Sequence, residues 1–164
     1  MKKVLIITLF IISIFLGGCN FFTPEPKEFS KDGITLTLDE SFKENENDLH
    51  KVTFASTKAL FTGNYEVLNI DYSQKEYASL CLKAIDSSEE VLEYTDDNTT
   101  FAYSYYVNTV EDVFLGKDVT YKYMLVCMKG SNHKYYCMNF GTTENNFDDY
   151  KDQMFEWAKT IKVE

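Results

Sequence analysis

Apolar residues fall along this 164-residue chain in three patterns: one unbroken run near the start, alternation by twos, and stripes at helical spacing. The alternation begins after the turn Lys31-Asp32-Gly33. Ile34, Leu36 and Leu38 point one way and Thr35 and Thr37 the other, the period of a half-buried strand. A polar stretch over 44–48 separates this strand from a second around 51–56, and a third over 66–72 follows the turn-like Thr62-Gly63-Asn64. Ser73-x-x-Glu76 is a capping box, in which the serine oxygen and the glutamate carboxylate each satisfy an orphan amide at a helix start. Tyr77, Leu80, Cys81, Ala84 and Ile85 then recur at helical spacing and predict one apolar stripe. Two hairpins follow. Residues 91–95 and 100–107 flank Asp96-Asp97-Asn98-Thr99; after a looser segment over 108–118, residues 119–128 and 135–142 flank 129–134. In the second hairpin Met124, Val126 and Met128 alternate with Tyr123, Leu125 and Cys127. Such a strand is apolar on both faces and belongs in the middle of a covered sheet. The last helix is expected over about 145–160, with Phe147, Tyr150, Met154, Trp157 and Ala158 on its apolar face and Ile161 continuing the seam. Glu144, Asp148 and Asp149 near its start and Lys159 near its end suit the helix dipole, and 161–163 predicts a short final strand.

The unbroken run occupies residues 4–16 behind Lys2 and Lys3. It is too short to cross a bilayer as a mature helix and has the form of a secretory leader. Leu16-Gly17-Gly18-Cys19 resembles the lipobox of bacterial lipoproteins: a branched apolar residue, two small ones, then cysteine. The resemblance implies cleavage between Gly18 and Cys19 and a diacylglyceryl thioether on Cys19, which would hold the protein on the extracytoplasmic face of the cell membrane. The small residues fit a peptidase that must seat an extended backbone closely. Residues 1–18 are then the leader. Residues 19–28 form a lipidated tether stiffened by Pro24 and Pro26, and 29–164 a single domain. At roughly 3 Å per residue the tether keeps that domain within about 30 Å of the bilayer.

The part beyond the leader is long enough to bury a core without a metal or disulfide staple. It contains all 12 Tyr, a composition suited to a β-rich domain. Formal net charge is −10 for the whole chain, and two lysines leave with the leader. All 16 basic residues are Lys. Without guanidinium forks or a basic patch, nucleic acid is excluded as a partner class, and an acidic body is repelled by anionic headgroups.

Candidate chemistry is sparse. Asp86, Glu89, Glu90, Glu93, Asp96, Asp97, Glu111 and Asp112 form an acidic run without lysine. Clustered carboxylates suit Ca²⁺, but the spacing is not that of an EF-hand loop, and a solvated acidic face is the reading adopted. His50 and His133, the only histidines, sit in polar surroundings and read as surface residues. Beyond Cys19 there are three cysteines. Cys81, on the first helical stripe, reads as a small buried hydrophobe. Cys127 and Cys137 lie directly opposite one another if the hairpin loop has three or five residues, which makes them either a cross-strand disulfide or a pair of reduced core thiols. No Cys/His spacing of the zinc type, nucleophile elbow or phosphate loop occurs. No catalytic residue, cofactor or metal ligand is therefore assigned.

Three segments, GITLTLDESF, NIDYSQKEYASLCLKAI and YYCMNFGTTENNFDDYKDQMFEWAKTIKVE, together with the order of elements, resemble the PsbP-like family, named for an extrinsic subunit of photosystem II. The similarity is one of apolar positions over about 130 residues. It implies an α+β fold, an antiparallel β-sheet sandwiched between helices, and no catalytic set. Two function classes follow: a non-enzymatic binding or accessory module docking on an envelope protein or ligand, or a small envelope enzyme or divalent-metal-dependent factor with a loop-built site.

Overall fold

A computed structural model describes residues 24–46, 48–112 and 117–164. Cys19, the leader and the first part of the tether lie outside the described residues. Among those described, no helix is long and apolar enough to cross a membrane.

Among the described residues ten strands, all paired antiparallel, form two sheets. β1 (Pro26–Lys31), β2 (Ile34–Asp39) and β10 (Lys162–Val163) make a small sheet in the order β1-β2-β10. The large sheet runs β3-β4-β5-β9-β8-β7-β6. Its members are β3 (Lys43–Glu44), β4 (Val52–Ala55), β5 (Ala59–Val67), β6 (Leu92–Thr95), β7 (Thr100–Asp112), β8 (Lys117–Lys129) and β9 (Lys134–Thr143). Helix α1 (Gln74–Ala84) follows β5; helix α2 (Phe147–Lys159) follows β9 through one 3-10 turn, Glu144–Asn146.

The alternation in β8 and β9 separates two cores. Met124, Val126, Met128, Tyr136, Met138 and Phe140 face the side covered by α2 and the small sheet, where they meet Ile34, Leu36, Leu38, Met154 and Trp157. Leu125, Cys127, Tyr135 and Cys137 face α1 and meet Tyr77, Ala78 and Leu82. The two helices lie on opposite faces, but the layer opposite α1 is built as much from the small sheet as from α2. A sheet held simply between helices is thus only a loose description of the architecture.

Several expectations change. Residues 26–28, placed in the tether, pair in register with β2 as Pro26↔Asp39, Lys27↔Leu38 and Glu28↔Thr37. Pro26 is tolerated because it opens an edge strand. The third strand lies earlier than 66–72. Thr62-Gly63-Asn64 is mid-strand in β5, paired with Asn139, Met138 and Cys137 of β9. What Gly63 meets is a close approach rather than a turn: a Cβ there would stand 2.6 Å from Ile34 Cδ1 of the overlying sheet, and the end of that side chain would have to shift. The real turn is at Ser56, whose N–H donates to Ala59 O at 2.9 Å and whose Oγ accepts from Ala59 N at 3.0 Å. The segment read as loose over 108–118 instead extends β7 and β8 in register out to Asp112↔Lys117.

Helix α1 starts as read, with the reciprocal Ser73–Glu76 capping box formed. Its buried face, however, is rotated from the expected stripe. Tyr77, Ala78 and Leu82 are buried and Cys81 half-buried, while Leu80 and Ile85 are exposed. The helix carries apolar residues around much of its circumference, so periodicity alone allowed more than one face. Tyr135 then selects one: its ring lies 5.0 Å from that of Tyr77, and its hydroxyl accepts from Tyr72 N at 2.8 Å just ahead of the helix.

Candidate functional site

The β8–β9 loop leaves five residues between the pair Lys129↔Tyr135, so Cys127 and Cys137 stand opposite each other, Cys127↔Cys137. Asn132 and His133 take left-handed backbone conformations, with φ of 54° and 57°. Gly130 N donates to Lys134 O at 2.9 Å and Lys134 N to Ser131 O at 3.0 Å, closing the loop and holding that register. Above this pair the rotated α1 brings down Cys81. The three sulfurs lie within 4.8 Å of one another, and all three are free thiols. They are the one set of three or more His, Cys, Asp or Glu side chains among the described residues whose ligand atoms converge.

The surroundings are apolar and aromatic: Tyr77, Leu82, Ala102, Leu125 and Tyr135 are buried beside the thiols, with Tyr106 at the margin. Cys127 is fully enclosed, whereas Cys81 and Cys137 are partly open. Hydrogen bonds from Cys127 and then from Cys137 favour the ionised form of Cys81 and outweigh its burial, which holds that thiol well below the ordinary range. Burial pushes the Cys127 thiol up. For Cys137 the hydrogen bond with Cys127 pulls down, but that with Cys81 and burial together outweigh it, and the thiol is pushed up. The hydrogen bonds among the three sulfurs thus favour ionisation at the helical one. Tyr77, whose hydroxyl donates to Glu66 Oε1 at 2.8 Å, is pushed up chiefly by burial and then by the Cys81 charge. Under mild alkylation at pH 6, Cys81 is expected to react first and Cys127 last, as read by peptide mass spectrometry. Equal rates at all three would contradict this ordering.

A second feature lies on the opposite side. An open groove of about 700 Å³ runs between the small sheet and α2, lined by Pro26, Leu38 and Asp39 on one wall and by Asp149, Tyr150, Glu156 and Trp157 on the other. Thr37 N donates to Thr160 Oγ1 at 2.9 Å and joins β2 to the end of α2. Asp39, Asp149 and Glu156 give the groove acidic groups, with Lys58 as the basic one in its lining.

The other candidates are dispersed. His50 Nδ1 lies 3.0 Å from Asn64 Nδ2, and burial lowers its pKa. His133 is exposed in the β8–β9 loop. Of the acidic run, Asp96 serves its own turn, accepting from Asn98 N, Thr99 N and the Tyr94 hydroxyl, each at 2.8 Å. Those bonds, with Asn98 the strongest influence, hold its carboxyl below the usual range. Asp86, Glu89, Glu90, Glu93 and Asp97 are exposed, and the side chains of Glu111 and Asp112 lie outside the described residues.

The thiol cluster is what sequence reasoning missed. Treating Cys127 and Cys137 as a facing pair placed two of its members. Treating Cys81 as a core hydrophobe removed the third, because its distance in sequence gives no spacing signal. The odd number of cysteines was the one available hint.

No protein-family model matches the chain, and no curated protein matches its sequence. Among solved structures, it is similar to the solution structure of cyanobacterial PsbP (CyanoP) from Synechocystis sp. PCC 6803. That likeness has a TM-score of 0.57 at 10% identity and covers 91% of this chain and 99% of that one. At such identity the likeness speaks for architecture alone: this chain has a PsbP-like fold.

Proposed function

We propose that the protein is a lipid-anchored extracytoplasmic module without turnover of its own, held to the cell membrane through Cys19 and acting by docking on an envelope partner. The observation that carries this reading is the groove between the small sheet and α2. Pro24 and Pro26 line it, so it opens where the chain enters the domain from the tether. A lipid on Cys19 would therefore keep this face close to membrane-borne partners. Tyr150 offers aromatic contact, and the carboxylates of Asp39, Asp149 and Glu156 favour a partner segment bearing lysine or arginine.

Charge reversal tests it. Asp149→Lys with Glu156→Lys is expected to weaken, by at least about fivefold, the retention of any partner captured from membranes by the wild-type protein, since rim charges govern encounter and specificity. A retained partner indifferent to both changes would count against the groove. Turnover in a broad hydrolase screen that disappears in His50→Ala or His133→Ala would overturn the non-enzymatic reading.

A further inference from the structure

We propose that Cys81, Cys127 and Cys137 form a three-coordinate, all-sulfur site for a single soft monovalent cation of the Cu(I) class. The site is built from three separate elements, α1, β8 and β9, and their sulfurs already lie within 4.8 Å of one another. Three sulfurs at metal–sulfur distances of about 2.3 Å around a common centre stand roughly 4 Å apart, so closure requires only small side-chain adjustments. Thiolates select soft ions. Zinc shares the preference for sulfur but is four-coordinate in structural sites, and no fourth carboxylate, imidazole or thiol among the described residues converges here. The immediate neighbours are Tyr77, Leu125, Ala102 and Tyr135, a largely apolar wall that offers no strong ligand. Where a sulfur is still protonated, its S–H bond breaks as the metal–sulfur bond forms, and the proton leaves to solvent without change of oxidation state.

Access is from the helix side. Cys81 and Cys137 are partly open while Cys127 forms the floor, so an ion would meet the outer pair first. This site faces α1, on the other side of the large sheet from the groove, and its ion binding can be measured with no docking partner present.

The test uses the full chain, purified in detergent under anaerobic reducing conditions and titrated with Cu(I) against a chromogenic chelator. One Cu(I) per chain is expected to survive the competition, with X-ray absorption showing sulfur scatterers alone, three of them, at about 2.3 Å. Bound Cu(I) should protect Cys81, Cys127 and Cys137, and no other cysteine, from alkylation. Cys81→Ala, Cys127→Ala and Cys137→Ala should each weaken binding at least about tenfold. Should a variant fail to fold, the scatterer count and protection map of the wild-type chain decide the matter by themselves. Failure to compete with the chelator, binding unchanged in all three variants, or nitrogen or oxygen scatterers in the bound complex would overturn the proposal. So would equal retention of Zn²⁺, or isolation of the protein with Cys127 already joined to Cys137, which leaves one thiol.

Discussion

Trp157→Ala is expected to lower the unfolding free energy by about 3–5 kcal/mol, the range for truncating a large buried aromatic side chain. Trp157 is 5% exposed and sits where three layers meet. Its ring packs edge-on against Phe42 at 5.2 Å, and lies 6.0 Å from Phe140 of β9 and 6.2 Å from Tyr150 on its own helix. Those contacts tie α2 to the large sheet and to the segment after β2, and the neighbours are themselves large and interlocked, so a cavity there collapses poorly. Denaturant unfolding followed by circular dichroism measures the change, since the sole tryptophan is lost in the variant. A loss below about 1 kcal/mol would mean that α2 is peripheral to the main core.

Cys19→Ser is expected to abolish both fatty-acid labelling and membrane retention while leaving the folded domain unaltered. A hydroxyl cannot supply the thioether sulfur, and without the proposed lipid no apolar chains would hold an acidic body near a repelling surface. Metabolic labelling and membrane fractionation report the two effects separately, and the melting temperature of the released protein controls for folding. Unchanged labelling of the serine variant would sink the anchor assignment.

The parts of the fold legible in the sequence are those governed by neighbours in the chain. The capping box at Ser73, the hairpins on either side of Asp96 and Gly130, and the buried face of α2 follow from local geometry, where residues close in sequence satisfy one another. The errors came where a long-range contact outweighed a local signal. Gly63 looks like a turn residue, yet it sits mid-strand, paired with Val52 and Met138, with Ile34 of the other sheet where a Cβ would stand. Pro26 looks like a tether residue, yet an edge strand accepts it. The face of α1 was misjudged because Leu80 and Ile85 are as apolar as Leu82, and only the sheet beneath decides which of them is buried.

The short apolar run and the lipobox-like Leu16-Gly17-Gly18-Cys19 are chemical signals read without tertiary context, and the proposal of a lipid anchor rests on them alone. The sequence by itself determined the alternation of β8 and β9, because a strand covered on both sides must be apolar on both, but the facing of Cys127 and Cys137 waited on the loop, whose five residues between Lys129 and Tyr135 set the register. Only the tertiary structure decided that Cys81 joins them. That meeting depends on the rotation of α1 about its own axis, which is set by how Tyr77 and Leu82 pack on the sheet and not by any spacing within the helix. The groove likewise exists only because β2 and α2, joined by Thr37 and Thr160 across 123 positions of sequence, are brought side by side over the same sheet face.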